Sequence, residues 1–306
     1  MKKLLRFALA ADLAALMTVV LGSWTRINGA GLTCPDWPLC RGRLVPSMTD
    51  GTLWEWTHRL LAFAVAPLVV ALVVAAWRKR DRPFIGPTLA VIVALFFVQV
   101  FLGAETVRLG NTPISVVLHW ATAMALIAGL SAMAVFAAAS DDTQPQRARA
   151  LSADAAIVGA TAIVSFATMC VGAYVSSSGA GLACLSIPDC AGNVVVHTPG
   201  QFVQMLHRVA AAATLICATG ALALVWAHSA SLRLRATVAL GVGLVAIQVL
   251  LGLLNVALRL PTELREAHAI NAALVFLAFF VATIFAVLDS APAGAARRLP
   301  ESVAQR

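Results

Sequence analysis

The sequence predicts an all-α integral membrane protein: eight transmembrane helices forming two pseudo-symmetric four-helix bundles in a tandem, parallel repeat. Three observations predict it. Of 306 residues, 60% are hydrophobic and 12% charged, whereas a soluble domain carries about 25% charged residues. Apolar runs long enough to cross a bilayer, about 20 residues each, take up nearly the whole chain, with no strand alternation or soluble domain left over. The second half of the chain also repeats the first.

The spans fall near Leu4–Trp24, Leu53–Trp77, Phe84–Val107, Pro113–Ala139, Ala153–Val175, Gln201–Ala227, Leu234–Leu258 and Glu263–Leu288. The opening "MKKLLRF" followed by an apolar stretch also has the look of a signal peptide. The first span has a counterpart in the second half, however, which a discarded leader would not need. A net charge of +8 raises the question of nucleic acid, and its placement answers against it. "RKRDR" (Arg78–Arg82) follows the second span, "QRAR" (Gln146–Arg149) the fourth and "RLR" (Arg233–Arg235) the sixth; Lys2, Lys3 and Arg6 precede the first, and Arg297 and Arg298 follow the last. The positive-inside rule assigns these segments to the cytoplasm. Both termini are then cytoplasmic, in a multi-pass plasma-membrane protein whose remaining loops face outward despite Arg26, Arg41 and Arg43.

Aligned at an offset of 150, Gly22 meets Gly172, Cys34 meets Cys184 and Cys40 meets Cys190; "GAGLTCPDWPLC" at Gly29 is rewritten as "GAGLACLSIPDC" at Gly179. Beyond these loops the offset is 149, pairing "HRLLA" at His58 with "HRVAA" at His207, "QVFLG" at Gln99 with "QVLLG" at Gln248, and His119 with His268. Four helices per unit give both units the same orientation. The expected organisation is an N-terminal bundle over 1–140, a cytoplasmic linker over 141–150, a C-terminal bundle over 151–290 and a cytoplasmic tail over 291–306.

Of six histidines, His197 reads as an outer-loop residue and His228 as an inner helix end. His58, His119, His207 and His268 each lie about six or seven residues into an even-numbered span, roughly 9–11 Å below the helix start at 1.5 Å per residue. Intramembrane ionisable residues are functional candidates by default, although a histidine that merely bonds a neighbouring helix is the simpler alternative. A structural zinc usually takes four ligands, and each half offers two histidines. A haem iron needs one or two, and bundle cores are common cofactor sites. Two haem-iron sites, one per half, are the economical reading. Arg59 and Arg208, each directly after a histidine, are candidate propionate partners, because guanidinium matches carboxylate geometry; snorkelling is the alternative. Gln99 and Gln248 read as helix-to-helix hydrogen-bonding residues.

The halves differ one turn before the first histidine. "EWTH" places Glu55 on the face of His58, where the second half has "QMLH" and Gln204. A carboxylate beside a cofactor is a candidate general acid or base; the alternative is an acidic residue favoured by a helix N-terminus. Glu263 and Glu266 fit that alternative better, and Glu105 and Asp12 carry no clear signal. Cys170 and Cys217 lie inside spans as packing residues. Cys34/Cys40 and Cys184/Cys190 each enclose five residues in an outer loop, for which disulfides are the default on an oxidising side of the membrane. A zinc site is the weaker alternative, since its cysteines are more often two to four apart.

Taken together, "TRINGAGLTCPDWPLC", "EWTHRLLAF", "GAYVSSSGAGLACLSIPDC", "QMLHRVAAA" and the histidines at 119 and 268 make the chain resemble the haem A synthase family, of the bacterial type with cysteine pairs in two extracytoplasmic loops. The resemblance covers all eight spans, although "CLSIPDC" departs from the favoured "CPDWPLC". It implies a membrane oxidoreductase that oxidises the C8 methyl of haem O to a formyl group by successive hydroxylations and loss of water, giving haem A. It implies His58 and His119 flanking the substrate haem O, His207 and His268 ligating a haem b cofactor, and Glu55 as the essential glutamate. It further implies Cys34–Cys40 as a pair linked to activity or haem handling, and Cys184–Cys190 as a structural disulfide. The implied partners are haem O synthase, cytochrome oxidase assembly factors and membrane lipid, with no nucleic acid. Oligomeric state stays open, a homo-oligomer included. The rival readings are a di-haem b-type cytochrome serving quinol electron transfer, a non-enzymatic haem carrier and a membrane thiol oxidase.

Overall fold

The computed structural model describes residues 1–139, 152–190, 192 and 195–290. The expected linker at 141–150 and tail at 291–306 lie outside the described residues, as do the basic positions they contain. Eight helices follow in order: α1 Lys2–Ile27, α2 Thr52–Trp77, α3 Ile85–Arg108, α4 Pro113–Ala138, α5 Ala153–Ser177, α6 Pro199–Ala227, α7 Leu232–Ala257 and α8 Thr262–Asp289. All eight are long and apolar enough to cross a membrane, and the chain is a multi-pass membrane protein. Among the described residues no strand forms, only an isolated bridge between Cys40 and Arg43.

Local chemistry explains where the helices begin and end. Ser152, Thr198 and Ser231 cap α5, α6 and α7, their hydroxyl oxygens accepting from the N–H groups of Ala155, Gln201 and Leu234. The first helical turn otherwise leaves those donors unpaired. Pro113 and Pro199 open α4 and α6, a position where the missing N–H costs nothing. Because of Thr198 and Pro199, α6 starts two residues before the expected Gln201. His207 therefore stands eight residues into its helix rather than six, and the extra half-turn lies at the loop end. Gly29 and Gly179 follow α1 and α5 with φ of +71° and +73°. A side chain is strained in that left-handed region, which accounts for the first glycine of both "GAGL" segments.

The packing order follows the repeat. In the first half α1 packs on α2 and α4, and α3 on α4; in the second, α5 packs on α6 and α8, and α7 on α8. The halves meet through α1, α4, α5 and α8. Burial repeats at matched positions: α2 buries Val69, Leu72 and Ala76 where α6 buries Ala218, Ala221 and Val225. By contrast α2, α3, α6 and α7 expose large apolar side chains, among them Val70, Phe97, Ile216 and Leu240, as a lipid-facing surface requires. With tails as apolar as the side chains, such helices associate through close packing rather than hydrophobic burial. Phe279 of α8 shows this, being 0% exposed with its ring against Gly241 of α7, where a Cβ would come within 2.9 Å of it.

Phe279→Ala is expected to lower stability by about 3 kcal/mol, the low end for a large-to-small core change, because the loss is cavity and contact rather than transfer from water. Equilibrium unfolding in mixed detergent measures it; a change below about 1 kcal/mol would show that the α7–α8 contact is not close-packed.

Candidate functional site

The four intramembrane histidines share one construction. Each imidazole of an even-numbered helix lies against a glycine of the preceding helix. A Cβ at Gly22 would stand 2.6 Å from Cε1 of His58, at Gly103 3.2 Å from that of His119, at Gly172 2.8 Å from that of His207, and at Gly252 3.3 Å from that of His268. One turn before each glycine, on the same helix face, stands a group directed at the same ring. The carbonyl of Thr18 lies 2.9 Å from Nδ1 of His58. Gln99 Nε2 lies 3.5 Å from Nε2 of His119, and Gln248 Nε2 3.1 Å from Nε2 of His268. The fourth ring, His207, interacts with the Thr168 backbone without reaching hydrogen-bond geometry.

These contacts set what the rings can do. A carbonyl only accepts, so Nδ1 of His58 carries the proton and Nε2 keeps its lone pair for a metal. At His119, His207 and His268 the buried Nδ1 has no hydrogen-bond partner. The ring centroids of His207 and His268 are 6.3 Å apart, with planes at 74°. Among the described residues no three His, Cys, Asp or Glu side chains converge, so the histidine pairs suit an ion that brings other donors, as a porphyrin iron does. Two imidazoles per half are the donor set a haem iron takes; at His119 and His268 the glutamine amides that donate to Nε2 would have to release that lone pair for the ring to ligate. Gln248 is further fixed by Asn271, whose amide donates to its Oε1 at 2.7 Å. The matching position in the first half is Thr122, and there the Gln99 Oε1 is buried without a partner.

Both cysteine pairs are disulfides, Cys34–Cys40 and Cys184–Cys190, and Cys170 and Cys217 are free and half-buried. The loops they close are tied to the histidine helices by the residues flagged from sequence. Glu55 is 4% exposed and Arg59 6%. The Glu55 carboxylate accepts from Thr33 Oγ1 (2.9 Å), from the Cys34 N–H (2.8 Å) and from Arg59 (2.5 Å). Arg59 also donates to the carbonyls of Cys34, Asp36 and Leu39. Those four bonds use all four terminal N–H groups of its guanidinium, leaving none of them for a propionate. In the second half Gln204 takes the place of Glu55, accepting from the Cys184 N–H and donating to the Gly181 carbonyl. Arg208 donates to Cys184, Ser186 and Asp189 carbonyls, and keeps one terminal N–H uncommitted where Arg59 meets Glu55.

The anchoring role of these arginines carried no sequence signal beyond the repeat, because loop carbonyls are anonymous in a sequence. Elsewhere His228 bonds Asp154 at 2.8 Å at a helix end, Asp12 accepts from Ser131, and Glu105 pairs with Arg108. His197 takes part through its backbone N–H, which donates to Gln201. None of these touches the histidine pairs.

Fold and site together define an integral membrane protein with a duplicated bundle and a two-histidine site in each half. The chain matches the family described as Cytochrome oxidase assembly protein over residues 5–52 and 47–280. It is similar to the Heme A synthase of Shewanella oneidensis, 28% identical over 88% of this chain and 92% of that protein. Similarity extends to the Heme A synthases of Shouchella clausii (33% identical, 69% of this chain and 72% of the relative) and Geobacillus kaustophilus (34%, 69% and 68%). The chain belongs to the haem A synthase family.

Two expectations follow. Arg59→Ala strands Glu55 as a buried, unpaired carboxylate and costs roughly 3–5 kcal/mol; Arg208→Ala strands no charge and costs less. Thermal unfolding in detergent, read with alkylation of loop cysteines under graded reductant, measures both, and equal losses would contradict the asymmetry. At Asp36, bonds from the Gly42 and Arg41 N–H groups hold the carboxyl below its usual range. A depressed folded value means the turn gains order above the unfolded carboxyl pKa, about 3.9, and loses it as pH falls through the folded value. The Gly42 amide resonance should therefore titrate at acid pH. That of Gly192, bonded to the uncharged Ser186 hydroxyl, should not.

Proposed function

We propose that this chain is a haem A synthase, a membrane oxidoreductase that converts the C8 methyl of haem O to a formyl group by successive hydroxylations, supplying haem A for cytochrome oxidase. The observation that carries the reading is a carboxylate beside one of two matched histidine sites: Glu55 stands where the second half has Gln204. A duplicated electron carrier has no need for that difference, and a proton-exchanging site does.

His58 and His119 hold the substrate haem O in the bundle at residues 1–140, and His207 and His268 hold a haem b in the bundle at 151–290. When bound, the haem b supplies one-electron chemistry. The chain's residues supply the rest. The Thr18 carbonyl fixes the His58 ring, and Gly22 and Gly103 admit the imidazoles close to their helices. Glu55 has two duties: it ties the Cys34–Cys40 loop over the first site and exchanges a proton at its Oε2, beside the Thr33 hydroxyl. Arg208, with one terminal N–H uncommitted, is the candidate propionate partner; Arg59 serves the loop. The disulfide loops face the oxidising side of the plasma membrane and both termini face the cytoplasm, in line with the clusters at Arg78–Arg82 and Arg233–Arg235. Haem O synthase is the source of the substrate, and cytochrome oxidase assembly factors receive the product.

The test is co-expression with haem O synthase in a host that makes no haem A, followed by extraction and mass identification of the haems. Wild type is expected to yield haem A or its hydroxylated precursor. Glu55→Gln is expected to lower that yield roughly 100-fold or more, the scale of a lost general acid–base group, while haem b and both disulfides are kept. Gln204 shows that an amide at this position still holds its loop, so the variant separates chemistry from folding. Full yield from Glu55→Gln would overturn the assignment, and haem b with unchanged haem O from the folded wild type would overturn the function.

A further inference from the structure

A second polar site lies on the seam between the halves and is independent of the histidines. At the loop ends of α1, α4, α5 and α8, a cavity of about 270 Å³ is lined by Arg26, Arg265, Ser176, Ser177 and Asn111, with Gly29 and Gly31 on its loop side. Two pairs of repeat counterparts meet in it: Arg26 with Ser176, and Arg265 with Val116. A position can face its own counterpart only near the pseudo-twofold axis, so the cavity sits on that axis. Each pair supplies one arginine and one neutral residue, and the repeat is broken in favour of positive charge.

The charges are poorly satisfied within the chain. Arg26 donates to Ser176 Oγ at 3.0 Å, and the Arg265 guanidinium has no hydrogen bond or ion pair among the described residues, its backbone N–H alone donating to the Pro261 carbonyl. The two guanidiniums repel each other. Arg265 sits in the first turn of α8, where the helix end already favours negative charge. The neighbouring carboxylate, Glu266, is buried and interacts with Ser23 and, from further off, with Arg26, without reaching hydrogen-bond geometry with either. The cavity lining holds two arginines and no carboxylate, so a ligand meets positive charge. Arginine forks and serine hydroxyls are the donors that recognise planar and tetrahedral oxyanions. The volume is below the roughly 300–1,000 Å³ that encloses a drug-sized molecule, so the cavity takes a small anionic group and excludes a macrocycle.

We propose that this cavity binds one oxyanion of the phosphate class, either the headgroup of an anionic phospholipid or free phosphate, and that the bound anion joins the two halves. The phosphodiester of a lipid carries the negative charge that the cavity lining lacks, and the cavity lies at the helix ends where headgroups reside.

The experiment uses full-length protein, stripped of lipid in detergent, as wild type, Arg265→Gln and Arg26→Gln/Arg265→Gln. Native mass spectrometry follows added phosphatidylglycerol; thermal unfolding follows inorganic phosphate against chloride at equal ionic strength. Wild type is expected to hold one tightly bound phosphate-bearing ligand, and each variant to bind it roughly 10- to 100-fold more weakly, the worth of charge-assisted hydrogen bonds. A single phosphatidylglycerol adduct without a phosphate-induced rise in melting temperature identifies the lipid; the rise without the adduct identifies free phosphate. The Arg265 side chain makes no hydrogen bond or ion pair among the described residues, so Arg265→Gln should melt no lower than wild type in chloride. The proposal fails if that variant melts lower there, or if wild type and variants respond alike to both ligands. Neither readout measures turnover, and wild type and variants are compared at equal haem content, so the result stands apart from the proposed reaction.

Discussion

An imidazole inside a helix bundle displaces whatever the neighbouring helix would have placed there, and most of this site depends on how that conflict is resolved. At all four histidines the facing residue is glycine, and a single methyl group at Gly22 or Gly172 would overlap the ring. The glycine alone would leave the ring free to turn. One turn away, a carbonyl or a glutamine amide engages it. Room and orientation thus come from one face of one helix, at a spacing of four residues; the glycine is written four times, and the hydrogen-bonding group engages three of the four rings. Tertiary amide and carbonyl contacts of this kind are held in place because unpaired polar groups are costly away from water.

The loops extend the same logic to the membrane surface. A disulfide closes each loop on itself without saying where it sits. Its position comes from one helical turn of α2 or α6, which places an acidic or amide side chain and an arginine four residues apart to bind the loop backbone. Because the histidine lies within that same turn, the loop and the ring share a rigid support. A glutamine suffices for the anchoring, as Gln204 shows. The carboxylate in the first half therefore adds charge rather than geometry, and it is balanced by the neighbouring Arg59. Ion pairs buried this deeply are weak evidence for stability, which directs attention to chemistry as the reason for Glu55.

Much of this was legible in the sequence, for identifiable reasons. The spans follow from apolar length, the repeat from matched Cys, His and Gln, and the disulfides from paired cysteines in loops. Helix starts lie beyond what apolar length resolves where capping decides them, as at Thr198 and Pro199. The glycine seats were not legible, because Gly22 and Gly103 became meaningful only once the register between adjacent helices placed them against His58 and His119. The arginines were read by proximity to histidine as propionate partners. The carbonyls that occupy Arg59 belong to Cys34, Asp36 and Leu39, residues whose side chains announce nothing of the kind. Arg26 reads in the sequence only as an exception to the charge bias, and Arg265 carries no signal there, since the counterpart of each is a neutral residue.

Those departures from the repeat have a common physical meaning. Duplication alone yields two equal sites and a seam where like positions face each other across an axis. Like faces like poorly when the residue is charged, because two arginines at one position and its counterpart would repel at close range. The chain places arginine on one side of each such pair and a small neutral residue on the other: Arg26 against Ser176, Arg265 against Val116. The interior differs in the same way, where Glu55 has the neutral counterpart Gln204 and Thr122 has the counterpart Asn271, which bonds Gln248. Symmetry supplies the scaffold, the glycine seats and the loop anchors, all of which work equally well twice. Charge is the property that does not, and it is at charged positions that the two halves become different sites.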